Sequence, residues 1–193
     1  HNCYMKRFKQ GFLKLQEKEL TTNLGSQNFI FVASGTDLFA SDVPAEWIHK
    51  VFTHCKSHPF NRYLFQSKNP ARFLDFIGDF PGNVVLGTTL ETNRLYAQMK
   101  NAPDPLLRVD AMAKLSSLGF KTTVTIEPIM DFDIDLFMTM LVKIKPEWIN
   151  IGADSNAKKT LPEPSKEQVA KLIEALKLTG IDYKLKDNLK RLL

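Results

Sequence analysis

The chain has 193 residues, 44% of them hydrophobic and 24% charged, which is enough to bury the core of one domain and too balanced for global disorder. No apolar run reaches the roughly 20 residues that cross a bilayer, and no secretory leader is visible. The net charge of +5 comes from scattered lysines and arginines, so it suits an anionic ligand or nucleic acid without requiring either.

Short β-rich runs, polar loops and amphipathic helices alternate along the chain. The segment from Cys3 to Gln27 reads as a helix and loop whose preceding strand is missing. Asn28 to Ala33 is the first predicted strand, closed by Ser34-Gly35-Thr36-Asp37. A helix begins near Pro44, a favourable first-turn residue, and places Trp47, Ile48, Val51 and Phe52 on one face. Tyr63 to Gln66 is the second strand; Ser67-Lys68-Asn69 follow it, and Pro70 opens another helix. Asn83 to Gly87 is the third strand and runs into Thr88-Thr89-Leu90-Glu91.

Leu106 to Leu118 is predicted helical from Leu107, Ala111, Leu115 and Leu118 at helical spacing, with Gly119 at the stop. Lys121 to Ile126 is a strand ending in Glu127-Pro128, and 134–144 reads as helix. Trp148 to Ile151 is a strand ending in Gly152-Ala153-Asp154-Ser155. Ser165 and Gln168 form a capping-box pattern for a helix that runs to Leu178 and ends at Gly180; Ile181 to Lys186 is the last strand.

Strand–helix units in series imply parallel strands with crossover helices, within one domain spanning residues 1–193. An open doubly wound sheet is the competing topology. A partial (β/α) barrel of the TIM type is preferred, because a polar or acidic residue ends almost every strand and a barrel gathers such residues at one mouth. Asp37, Lys68, Glu91, Glu127 and Asp154 occupy these positions, and Gly35, Gly87 and Gly152 leave room beside them. Carboxylates there can hold ammonium or hydroxyl groups, and lysine can hold a carboxylate. Neither a Walker motif nor GxGxxG is present.

Two cysteines, Cys3 and Cys55, make no disulfide framework and point to a reducing, cytoplasmic setting. Cys55 lies on the inner face of its predicted helix and reads as core. His54 and His58 have i, i+4 spacing but lack the HExxH pattern of a zinc helix.

Several short pieces then match in order. They are Asp37-Leu38-Phe39 with Asp42-Val43-Pro44, Phe65 through Arg72, Gly87 through Asn93, Glu127-Pro128-Ile129 and Gly152 through Ser155, with Asn2-Cys3-Tyr4 at the front. Together they resemble the radical S-adenosylmethionine (SAM) superfamily, and within it a phage- and bacterium-associated group. The stretch from Arg108 to Met130 also resembles spore photoproduct lyase relatives.

The resemblance implies a partial barrel with a 4Fe–4S cluster on three cysteines and SAM at its open iron. The implied chemistry is reductive cleavage of SAM to a 5′-deoxyadenosyl radical, which takes hydrogen from substrate. By position, Cys3 would ligate the cluster. Ser34, Gly35, Thr36 and Asp37 would meet the SAM amino group, and Thr88, Thr89 and Glu91 its ribose or sulfonium side. Lys68 and Arg108 would take its carboxylate, with Glu127 and Asp154 deeper in the mouth.

Only Cys3 stands where three ligands are expected, so the first strand and two further cysteines are expected upstream of it. The alternatives are a degenerate, non-catalytic barrel that binds a nucleotide or nucleic acid, and a metal-independent barrel enzyme using Glu127 or Asp154 as general base.

Overall fold

A computed structural model describes residues 13–156 and 161–193. Its regular elements are β1 (Phe29–Val32), α1 (Ala45–Lys56), β2 (Arg62–Ser67), β3 (Val84–Thr89) and α2 (Pro105–Ser117), then β4 (Lys121–Ile126), α3 (Ile134–Ile144), β5 (Trp148–Ile151), α4 (Lys166–Thr179) and β6 (Asp182–Leu185). The six strands pair in the order β1-β2-β3-β4-β5-β6, and every pairing is parallel.

That order decides between the two topologies. A doubly wound sheet reverses direction at a switch point; here each strand is added on the same side of the last. The sheet therefore curls into a half-barrel. In a flat sheet β1 and β5 would lie about 19 Å apart, four spacings of about 4.8 Å. Instead the rings of Phe29 on β1 and Trp148 on β5 meet edge to face at 6.0 Å, with the Arg62 guanidinium over both.

Side chains alternate across the sheet. Tyr63, Phe65, Leu86, Val124, Ile126, Ile149 and Ile151 point to the convex face and join the main core under the helices. Leu64, Gln66, Val85, Gly87, Thr89, Thr123, Thr125, Trp148 and Asn150 share the opposite, concave face with Phe29 and Phe31. Helix α1 buries Ile48, Phe52 and Cys55 against the convex face, as its periodicity predicts.

Helix α2 differs from expectation. Leu107 and Leu118 are largely exposed, and the buried stripe is Pro105, Arg108, Val109, Ala111, Met112 and Leu115. Counting leucines misplaced the stripe because one of its inward positions is an arginine that serves a buried acid. The helix after β2 also differs: Pro70–Phe76 is a 3₁₀ helix. It drives Phe73 and Phe76 into an aromatic cluster, in which Phe39 lies 4.6 Å from Phe73.

Helix α4 carries the capping box: Ser165 Oγ accepts from the Gln168 N–H (3.1 Å) and Gln168 Oε1 from the Ser165 N–H (2.8 Å). Gly180, at φ +72°, ends it in the left-handed region. Within the predicted 3–27 helix and loop, the described part holds one 3₁₀ turn, Glu17–Thr21. Among the described residues no helix is long and apolar enough to cross a membrane.

Candidate functional site

Because all six strands run the same way, their C-terminal ends share one rim. Two polar clusters form there. The first joins the ends of β1, β2 and β3. The Asp37 carboxylate accepts from the backbone N–H of Phe39 (3.0 Å) and of Lys68 (2.9 Å), so it pins the loop after β1 to the end of β2. The Lys68 ammonium donates to Glu91 Oε1. The other Glu91 oxygen accepts from Arg108 Nη1 at 3.0 Å.

Arg108 is 1% exposed and Glu91 4%. Arg108 also donates to the Pro103 carbonyl (2.7 Å) and the Thr89 carbonyl (2.9 Å), while its buried Nη2 has no partner among the described residues. Burial by itself pushes the Glu91 carboxyl up, but the charges of Lys68 and Arg108 outweigh it and hold Glu91 below the ordinary carboxylate range. The result is a fixed carboxylate beside a lysine whose side chain is half exposed.

The second cluster joins β4, β5 and the chain after β6. Glu127 Oε1 accepts from Asn188 Nδ2 (2.7 Å), and Lys186 donates to Glu127 Oε2. Asn188 Nδ2 also donates to the Ala153 carbonyl (2.8 Å) and Ser155 Oγ (3.0 Å). Gly152 is required by close approach: an added Cβ would lie 2.8 Å from Glu127 Oε1 and 2.9 Å from Asn188 Oδ1. Asp154 is buried; its Oδ1 accepts from the Asn156 N–H (2.9 Å), and among the described residues its Oδ2 has no partner, like Asn188 Oδ1. The Glu127–Pro128 peptide is cis, and the chain after it threads between β3 and β5, where Met130 N–H donates to the Glu91 carbonyl and Ile129 N–H to the Gly152 carbonyl.

The predicted site residues divide accordingly. Asp37, Lys68, Thr89, Glu91 and Arg108 are brought together, and Glu127 and Asp154 stand in the second cluster. Ser34, Gly35 and Thr36 form the turn at the end of β1, with Thr36 N–H donating to the Ala33 carbonyl (3.0 Å). Thr88 points to the convex side, where its hydroxyl donates to the Ser67 carbonyl (2.8 Å), away from the mouth. Cys3 lies outside the described residues.

Cys55 sits in the core, and desolvation pushes its thiol up to about 12. Among the described residues no group of three or more His, Cys, Asp or Glu is arranged to hold a metal. Sequence reasoning missed Lys186 and Asn188, although the strand-end rule applied to the last strand would have reached them.

A curled sheet of six parallel strands with helices on its convex face defines an α/β partial barrel. Among solved structures it is similar to a mutant spore photoproduct lyase with bound AdoMet and dinucleoside spore photoproduct. The TM-score is 0.56 and the identity 12%, over 86% of this chain and 50% of that one, so this chain spans about half the lyase's length. At that identity the likeness is one of fold. The chain belongs to the family described as protein of unknown function, DUF5131, whose profile matches residues 2–187. No curated protein matches it.

Proposed function

We propose that this chain is the SAM-binding half-barrel of a radical SAM enzyme. The observation that carries the reading is the polar C-terminal rim, on a fold that a protein with bound AdoMet shares. The motif resemblance extends it to the phage- and bacterium-associated group.

The rim's chemistry fits SAM, a zwitterion with a sulfonium and a ribose diol. Glu91, held ionised, sets a negative charge beside the sulfonium and ribose. Lys68 can turn its half-exposed ammonium from Glu91 to the carboxylate of SAM. Asp154 Oδ2 is a buried acceptor with no donor among the described residues, and a ribose hydroxyl or the SAM ammonium would supply one. Arg108 holds Glu91 from behind, and Asp37 shapes the loop that closes over the amino group. These are revised roles for Arg108 and Asp37, whose polar atoms are largely committed to the protein.

Cluster ligation is assigned to Cys3 by resemblance; Cys55, in the core with a protonated thiol, does not fit it. When bound, a reduced 4Fe–4S cluster supplies the electron that cleaves SAM.

The test is anaerobic reconstitution of the full-length protein, with iron and sulfide determination and detection of 5′-deoxyadenosine after reduction. Cluster incorporation and 5′-deoxyadenosine, with SAM affinity weakened about ten-fold or more in Glu91→Gln, is the expected result. A protein that binds SAM but no iron points to a non-catalytic binding barrel and overturns the radical reading.

A further inference from the structure

We infer that the concave face of the half-barrel reads a nucleobase, with Gln66 on its hydrogen-bonding edge and Phe31 on its ring face. The inference names a substrate class for the mouth proposed above, and it rests on that mouth being the reaction site.

It begins with Gly87. This residue sits mid-strand on β3, in register with Gln66 on one side and Thr123 on the other. A Cβ there would lie 3.1 Å from Thr123 Cγ2, 3.3 Å from Leu64 Cδ1 and 3.4 Å from Gln66 Cγ. The missing side chain lets Gln66 lie across β3 and reach β4. Thr125 Oγ1 donates to Gln66 Oε1 at 3.0 Å, and Gln66 Nε2 donates to Thr89 Oγ1 at 3.3 Å. A side chain that spans two strand spacings and is tied at both amide atoms is preorganised.

Both tethers are hydroxyls, which donate or accept, so they hold the amide in place whichever way round it lies. One Oε1 lone pair and one Nε2 hydrogen remain on a half-buried group. An acceptor and a donor on one held amide suit a partner that carries both, as the lactam of thymine, uracil or guanine and the amino–imine edge of adenine do.

The surroundings select a planar, neutral partner. Phe31 is 45% exposed, has the same orientation on β1 as Phe29, and is in register with Leu64, two residues before Gln66. Thr89, Thr125 and Asn150 add neutral polar groups on the same face. An aromatic face beside an amide edge and hydroxyls is how an unstacked base is held. The carboxylate and lysine of the rim stand above this face and suit ribose and phosphate.

The test is calorimetric titration of the full-length protein with thymidine, with thymidylyl-thymidine and with an oligodeoxythymidine strand, each repeated with SAM as titrant. Wild type is expected to bind at least one of the thymine ligands; the free nucleoside, the dinucleotide and the strand distinguish how much sugar–phosphate the site needs. Gln66→Leu, Phe31→Leu and Gly87→Ala should each weaken that binding about ten-fold or more while SAM affinity stays near wild type; thermal unfolding should stay near wild type in Phe31→Leu and fall in Gly87→Ala, whose added methyl crowds Thr123 and Leu64. Replacing thymine by N3-methylthymine should weaken it similarly in wild type and have little effect in Gln66→Leu. Wild type that binds SAM but none of the thymine ligands, or binding unchanged in Gln66→Leu and Phe31→Leu, overturns the inference alone. Thymine binding without SAM binding leaves it standing and defeats the SAM reading.

Discussion

Replacing Arg108 by Met keeps most of the side-chain volume and removes its charge. The guanidinium is fully buried, and it donates to Glu91 and to the carbonyls of Thr89 and Pro103. Removing one member of a buried ion pair costs about 3–5 kcal/mol, because the other charge is left behind in a poorly solvated site. Lys68 still faces Glu91, but its side chain is 46% exposed and compensates only in part. A loss of about 3 kcal/mol is therefore expected, or about 6–12 °C in melting temperature for a chain of this size.

Urea unfolding at pH 7 measures the loss. A double-mutant cycle with Glu91→Gln isolates the pair, and the double variant should be more stable than additivity predicts. The sign with pH also follows. Glu91 is held below its ordinary range in the folded state, so its contribution is complete above that range and fades as the pH falls through the lowered folded value. In Arg108→Met burial acts on Glu91 with less opposition and raises its folded value. The gap between variant and wild type should then narrow on acidification. A loss below about 1 kcal/mol at pH 7, or a gap that widens in acid, would refute the reasoning.

Gly152→Ala puts a methyl group 2.8 Å from Glu127 Oε1, and the pairing of Glu127 with Asn188 should break at a cost of about 1–3 kcal/mol, read by thermal unfolding with SAM affinity measured alongside. In a Cys3→Ser background, Cys55, with its thiol raised to about 12, should resist an aromatic disulfide reagent at pH 8 in the folded protein and react at once in denaturant; rapid labelling without denaturant would contradict its burial. Asp133, hydrogen-bonded by Arg94 and Asn93, titrates at about 2 against an ordinary 3.8. Its stabilising effect is present above the ordinary value and lost as the pH falls through about 2, and Arg94→Gln should return its carbon chemical-shift titration to the ordinary range.

Much of the fold was legible locally. The runs at 121–126 and 148–151 are strands over those same residues, because short runs of β-branched and aromatic residues favour extended backbone, the first buried on both faces beyond Lys121 and the second alternating buried and half-buried. The capping box at Ser165 and the stop at Gly180 are equally local, since each satisfies backbone groups at one helix end. The rim was legible at Asp37, Lys68, Glu91, Glu127 and Asp154 because loops after parallel strands must emerge on one side.

The sequence by itself determined the alternation of strands and helices, the ends of most elements and the positions of the polar strand ends, because those depend on neighbours within a turn or a strand. Tertiary structure alone decided three things. It chose the barrel over the doubly wound sheet, through the order in which strands pair. It turned Arg108 inward and two leucines of α2 outward, because the core needed a cation for Glu91. And it laid Gln66 across Gly87 to Thr125, a contact between residues 59 apart in the chain. Each depends on which distant groups share a face of the curled sheet, a relation that local periodicity does not carry.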